Sequence, residues 1–319
     1  MTLHRRRVVG MASAMALCIM APSSATGQQV NDSAFRFENP DPAFPLGNGP
    51  RVCVDETHHN VHSLGRLFAP FVSVLRSDGF RPQRFTQAIS RETLEACAIL
   101  ILGSGRAGPQ ADDLWAYPHA SAYSRAEMNA VVRWVRSGGA LLLFWDHAPA
   151  AGAAAGLAAL LGVQLLDAWA DQTPQGNYPE IVRRADGLMA DHLILRGRRP
   201  SERIDSIATH GAGAFFPSAW IQPVLLFGPR GTGWVFLGDM GQALPEIPEQ
   251  EWPRFSIEGW LLAGTRQWGA GRIVFFGDVT LCTAQLYGPA AIPLAMSHPS
   301  GAQNPLLCLN MVRWLAGAL

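Results

Sequence analysis

The sequence predicts an α/β protein built on an open, mostly parallel sheet flanked by helices. Three observations carry that prediction. The apolar runs Arg51–Asp55, Ala98–Leu102 and Ala140–Trp145 do not alternate, so they read as strands buried on both faces of a parallel sheet. Segments with helical apolar spacing lie between them, the alternation expected of a strand–helix–strand fold. Later runs around short Gly-rich turns read as antiparallel hairpins that extend the sheet in the C-terminal half.

Taken in order, residues 1–27 read as a signal peptide outside the fold. Arg5, Arg6 and Arg7 form a positive start, and Val8 to Ala21 is apolar but too short to span a bilayer. Ser23, Ala25 and Gly27 supply small residues for cleavage. The expectation is export by the general or the twin-arginine route, a periplasmic or secreted location, and no permanent membrane anchor. Residues 28–49, rich in Asn, Asp, Pro and Gly, read as an extended lead-in, and 50–319 as a single domain.

Within that domain Leu64, Leu67, Phe68, Phe71, Val72 and Leu75 share one helical face, with Pro70 setting the effective start and Gly79 the end. A short strand is expected at Gln83–Phe85. Ser124 and Glu127 form a capping box for a helix that turns Val131, Val132, Trp134 and Val135 inward. Gly138 and Gly139 stop it. An Ala-rich helix runs from Ala150 to Leu161 and ends at Gly162. One hairpin is expected from Pro223–Phe227 with Trp234–Leu237, a second from Trp260–Gln267 with Arg272–Phe276. The last helix starts at Asn304 as N-cap and Pro305, and faces Leu307, Met311, Trp314 and Leu315 inward.

Composition narrows function by exclusion. The chain is 48% hydrophobic and 16% charged, with 25 basic and 25 acidic side chains, so there is no basic excess for a nucleic-acid partner. Every basic side chain is Arg, which excludes a Lys Schiff base and a phosphate-loop Lys. Cys53, Cys97, Cys282 and Cys308 read as four buried free thiols, with one bridge compatible with export. Their spacing does not suggest structural zinc.

In open α/β sheets ligands bind outside the carboxyl ends of the strands. Three predicted strands end there in carboxylates. Asp55 and Glu56 lead into His58, His59, Asn60 and His62; Asp146 is followed by His147; Asp278 is followed by Gln285. These residues form the expected site for a small polar ligand. Imidazole with carboxylate also suits a divalent metal, with His59, His62, Asp146 and His147 as the candidate ligands. A metal-dependent hydrolase would use His59, His62 and Asp146 for the metal and Glu56 as general base. The bland alternative is that the polar tips only brace loops in an envelope interaction module. Gly103-Ser104-Gly105 lacks the spacing of a nucleophile turn and reads as ordinary loop, and His210 and His298 read as structural. Trp115, Trp169 and Trp252 lie in loops where an indole can stack on a ligand.

The segments Pro50–His62, Gly138–His147, Ala190–Gly197 and Gln303–Leu315 resemble an uncharacterised exported bacterial branch of the class I glutamine-amidotransferase-like superfamily. Asp-Glu-x-His-x-Asn-x-His is the most specific part of that resemblance. It implies a flavodoxin-like sheet and brings no activity. In amidotransferases of this superfamily the turn after the fourth strand carries a nucleophilic Cys. The matching place here is Trp145-Asp146-His147-Ala148, so glutamine hydrolysis through a thiol ester is not expected.

Overall fold

The structure is a computed structural model that describes residues 29–109, 117–173, 178–235 and 252–319. The predicted signal peptide, Trp115 and the end of the predicted Trp234–Leu237 strand fall outside the described residues. The first half contains β1 (Gln29–Asn31), β2 (Arg51–Asp55), α1 (Ala69–Ser77), β3 (Arg81–Phe85), α2 (Arg91–Leu94), β4 (Ile99–Gly103), α3 (Arg125–Arg136), β5 (Ala140–Phe144) and α4 (Ala150–Leu160). Then follow β6 (Trp169–Asp171), β7 (Glu180–Arg183), α5 (Leu193–Arg196), β8 (Ser206–Thr209), β9 (Gln222–Leu226), β10 (Thr232–Trp234) and β11 (Arg254–Ser256). The chain closes with β12 (Leu261–Trp268), β13 (Gly271–Phe276), β14 (Ala284–Tyr287), β15 (Ile292–Ala295) and α6 (Asn304–Ala316).

A seven-stranded mixed sheet of order β3-β2-β4-β5-β13-β12-β9 forms the centre. The first five strands of that order are mutually parallel, and β12 and β9 add antiparallel. All five residues of β4 and all five of β5 are buried, as unbroken apolar runs demand when both faces are covered. Alternate residues serve opposite layers because strand side chains alternate in direction. Val52, Val54, Leu142 and Phe276 join Phe71 of α1 and Leu309 of α6, whereas Leu100, Leu141, Leu143 and Phe275 join Val131 of α3 and Leu157 of α4.

Several local expectations meet the structure directly. The Ser124–Glu127 capping box is formed, Ser124 Oγ accepting the Glu127 amide. Residues 64–68 are turn, so α1 starts at Ala69, with Pro70 in its first turn. Asn304 opens α6 but does not cap it, because its amide pairs with both backbone groups of Ala208 in β8. The lead-in is pinned by Asp78, whose carboxylate accepts from the Asn39 amide and the Ala43 backbone, and also pairs with buried Arg313 of α6 at 2.5 and 2.8 Å.

Two expectations need correcting. The β12–β13 hairpin exists, but Pro223–Phe227 and Trp234 do not pair with each other. β9 lies on the edge of the large sheet, while β10 joins β6 and β11 in a separate three-stranded sheet. The turn between them is a corner between sheets, which the Gly-rich signal does not distinguish from a hairpin. Nor are the four Cys free. Cys53 on β2 bridges Cys97 just before β4, and Cys282 bridges Cys308 of α6, with Cα separations of 5.6 and 5.9 Å. The pairs are 44 and 26 residues apart in sequence, so only the folded chain brings them together. Among the described residues no helix is long and apolar enough to cross a membrane.

Candidate functional site

Parallel pairing of β2, β4, β5 and β13 puts their carboxyl ends on one edge, where Asp55 ends β2 and Ser104, Asp146 and Asp278 follow in neighbouring loops. A cavity of about 460 Å³ opens there. Its polar lining includes His62 from the β2 loop, Ser104 and Arg106 from the β4 loop, and Asp146 and His147 from the β5 loop. His119 and His210 enter from loops that the strand-tip pattern did not flag.

The β2 loop is organised by Asp55. Its buried carboxylate accepts from the Thr57 amide at 3.1 Å and hydroxyl at 2.7 Å, from His58 Nδ1 at 2.8 Å and from the Asn60 amide at 3.1 Å. The second nitrogen of His58 faces Glu127 at 3.3 Å. Burial opposes a charge on this imidazole, but Asp55 and Glu127 outweigh it and raise its pKa. Asn60 also donates to Gly103 O at 3.0 Å, and the Arg106 amide donates to His58 O at 2.7 Å, locking the β2 loop onto the β4 loop.

His62, further along that loop, is treated differently. Neither of its ring nitrogens has a hydrogen-bond partner, and the ring lies 5.3 Å from the Phe68 ring. Burial, reinforced by Arg106 and Arg66, lowers its pKa to about 3. Ser104 has φ +45°, a left-handed conformation uncommon outside glycine, and its buried hydroxyl is also unpartnered. The glycine before it is closely packed, since a Cβ on residue 103 would stand 3.0 Å from the Phe68 ring and the ring would have to give by a few tenths of an ångström.

His147 has a defined tautomer. Its Nδ1 must donate to Ala148 O at 2.6 Å, because a carbonyl only accepts, so Nε2 of the neutral ring is an acceptor. The ring stacks on Trp169 at 3.3 Å and 10°, and burial lowers its pKa to about 4. The stack continues from Trp169 to Trp234 and from Trp234 to Trp252. His119 Nδ1 contacts both Asp167 oxygens at 2.8 Å and leaves Nε2 unpartnered. Gly152 of α4 makes room for this pair, as a Cβ there would stand 2.5 Å from Asp167 Oδ2. Both nitrogens of His210 are unpartnered, and burial lowers its pKa to about 4. Burial and the neighbouring Asp278 push Asp146 well above the usual carboxylate range. Asp278 is itself pushed up to about 7 by burial, despite accepting from the His210 and Leu281 amides.

The expected site residues thus separate. His62, Asp146 and His147 come together at the cavity. Asp55, His58 and Asn60 form the internal network behind it, and Asp278 holds backbone amides. Gln285 is fully buried and donates to Thr283 Oγ1 at 2.7 Å. Glu56 is not placed as a general base: it accepts the Leu64 amide at 2.8 Å and pairs with Arg84 at 2.5 Å. His59 is exposed, with φ +49°, and does not line the cavity. Consequently His59, His62, Asp146 and His147 are not assembled as a ligand set. Among the described residues no group of three His, Cys, Asp or Glu side chains is placed to hold a metal ion. All four described Cys are disulfide-bonded, and the turn after β5 carries Asp146 and His147.

Sequence reasoning missed Ser104, Arg106, His119 and His210 as cavity residues. A Ser between two Gly after a buried strand was a usable signal for Ser104. Nothing local marks His119, whose partner Asp167 is 48 residues away.

No family model matches the chain, and no curated protein matches it. Solved structures do resemble it. The mmIFT52 N-terminal domain superposes with a TM-score of 0.56 at 12% identity, covering 83% of this chain and 97% of that one. A cytoplasmic protein from Salmonella typhimurium gives 0.48 at 14% identity, with coverages of 83% and 98%. A ThuA-like protein from Bacteroides uniformis gives 0.44 at 12%, with coverages of 88% and 94%. At these identities the first likeness speaks for the fold alone.

Proposed function

We propose that this protein is an exported, flavodoxin-like member of the glutamine-amidotransferase-like superfamily that binds a small polar ligand at the strand tips and lacks amidotransferase chemistry. One observation carries the reading. The buried, unpartnered polar atoms His62 Nδ1 and Nε2, Ser104 Oγ, His119 Nε2 and both His210 nitrogens belong to residues that line one cavity. Buried polar groups are nearly always hydrogen-bonded, so a cluster of unpartnered ones around open space is suited to a ligand that supplies the partners. The neutral imidazoles offer both donors and acceptors, and the His147–Trp169 stack offers a flat apolar side. Two disulfides support an oxidising compartment and hence export.

The test is native mass spectrometry of protein purified from its source cells, followed by denaturing release of bound small molecules. Ala150 lines the cavity at the start of α4, so Ala150→Trp should occlude it. A released molecule that Ala150→Trp abolishes while the fold is retained supports the reading. Equal release from both proteins places the ligand elsewhere and refutes it.

A further inference from the structure

Among the described residues, the cavity has a positive end that no carboxylate pairs with. Arg106 lines it, half-buried, and the Arg106 pKa is lowered by burial and by the nearby Arg66 guanidinium. Among the described residues neither Arg106 nor Arg66 has an ion pair with a carboxylate. Four of the described acids nearby are already committed. Asp55 and Glu127 face His58, Asp167 faces His119, and Glu56 faces Arg84. Asp146 and Asp278 are pushed towards their neutral forms. Next to Arg106, the buried His62 ring and the buried Ser104 hydroxyl have unused hydrogen-bonding capacity and line the same space. A guanidinium, an imidazole and a hydroxyl together make a donor set suited to a carboxylate or phosphate group. Away from this end, the free Nε2 atoms of His119 and His147 act as acceptors when neutral.

Taking the cavity to be the ligand site proposed above, we propose that its ligand is a small hydroxylated anion. Arg106, with Ser104 and His62, holds the carboxylate or phosphate, and His119 and His147 accept hydrogen bonds from its hydroxyls. No bond is made or broken in this binding.

The experiment is calorimetric titration of the full chain with three matched probes: glycerol, glycerate and glycerol 3-phosphate. They share a hydroxylated backbone and differ in the charged group. The expected result is that at least one anion binds about tenfold or more tightly than glycerol, since a buried charge-assisted contact is the strong kind of hydrogen bond. The stronger of the two anions identifies the headgroup. Arg106→Gln should remove the preference and Arg106→Lys should retain part of it, with circular dichroism confirming that both variants fold. Equal binding of all three probes overturns the proposal, as does a preference that survives Arg106→Gln. Failure of both anions to bind also overturns it. Failure here remains distinct from failure of the ligand-site reading. Glycerol binding as tight as that of either anion, and abolished by Ala150→Trp, would sink the anion and leave the site standing. Anion binding that survives Ala150→Trp but not Arg106→Gln would move the anion outside the cavity and sink both.

Discussion

His58 and His62 lie on one loop, are equally buried at 7% exposure, and have opposite electrostatic fates. His58 is held between two carboxylates, its backbone amide donating to Asn60 Oδ1 and its carbonyl accepting from the Arg106 amide. His62 has an aromatic neighbour, two nearby guanidinium groups and no hydrogen bond. The first region completes itself and is a bracket. The second is incomplete and faces a cavity. Burial of a polar residue therefore does not identify a site; burial without a partner, next to open space, does.

The comparison breaks most visibly if its two halves respond alike to truncation. Asp55→Ala removes the acceptor for four donated hydrogen bonds and strands the His58 imidazole beside Glu127. Urea unfolding should show a loss of about 3–5 kcal/mol, the range for breaking a buried charged pair from one side. His62→Ala should cost less than about 2 kcal/mol, because the ring gives up packing but no hydrogen bond. Similar losses for the two variants would mean that His62 has a partner in solution.

Acidification should separate the same two residues with opposite signs. The folded pKa of His58 is raised above its unfolded value of about 6.5. Its stabilisation is thus fully present below about pH 6.5 and is lost as the pH rises through the raised folded value. The penalty of His58→Gln should shrink as the pH increases. His62, lowered to about 3, excludes a proton that the unfolded chain binds below about pH 6.5. Wild type should therefore lose stability relative to His62→Gln as the pH falls from about 6.5 to about 3, by up to about 1.4 kcal/mol per pH unit. Chemical denaturation of the three proteins checks both signs, His62→Gln between about pH 3 and 6.5 and His58→Gln from about pH 6.5 upward through its raised folded value. Parallel pH profiles for the variants would erase the distinction.

The smallest effect belongs to His59, between the two. It is exposed and outside the cavity. His59→Ala should change stability by less than about 0.5 kcal/mol and leave ligand affinity unchanged, in unfolding and titration measurements respectively. A tenfold loss of affinity would return His59 to the site and revive the metal-ligand set first expected of it.

Much of the central sheet was legible. Runs such as Ala140–Phe144 can be satisfied only with both faces covered, so the parallel core follows from local pattern. A carboxylate at the end of each of three strands then puts Asp55, Asp146 and Asp278 at one edge. Legibility failed where residue type stood in for geometry. Glu56 reads as a base until Arg84 and the Leu64 amide engage it, and His59 and His62 with Asp146 and His147 look like a metal set until His59 is seen to be exposed. The corner between β9 and β10 reads as a hairpin because turn chemistry reports a change of direction, not the partner of the next strand.

What the sequence determined by itself is the strand–helix alternation, the lack of a Cys in the turn after β5, and the sheet edge that carries polar residues. Each depends on periodicity or identity over a few adjacent positions. Tertiary structure alone decided the two disulfides, the division between bracket and cavity, and the arrival of His119 and His210 at a site built on other strands. Those outcomes depend on which distant segment supplies a partner. Asp167 finds His119 across 48 residues, and Arg106 forms no ion pair among the described residues. Local spacing carries no record of either, because hydrogen bonds and desolvation are settled by neighbours in space.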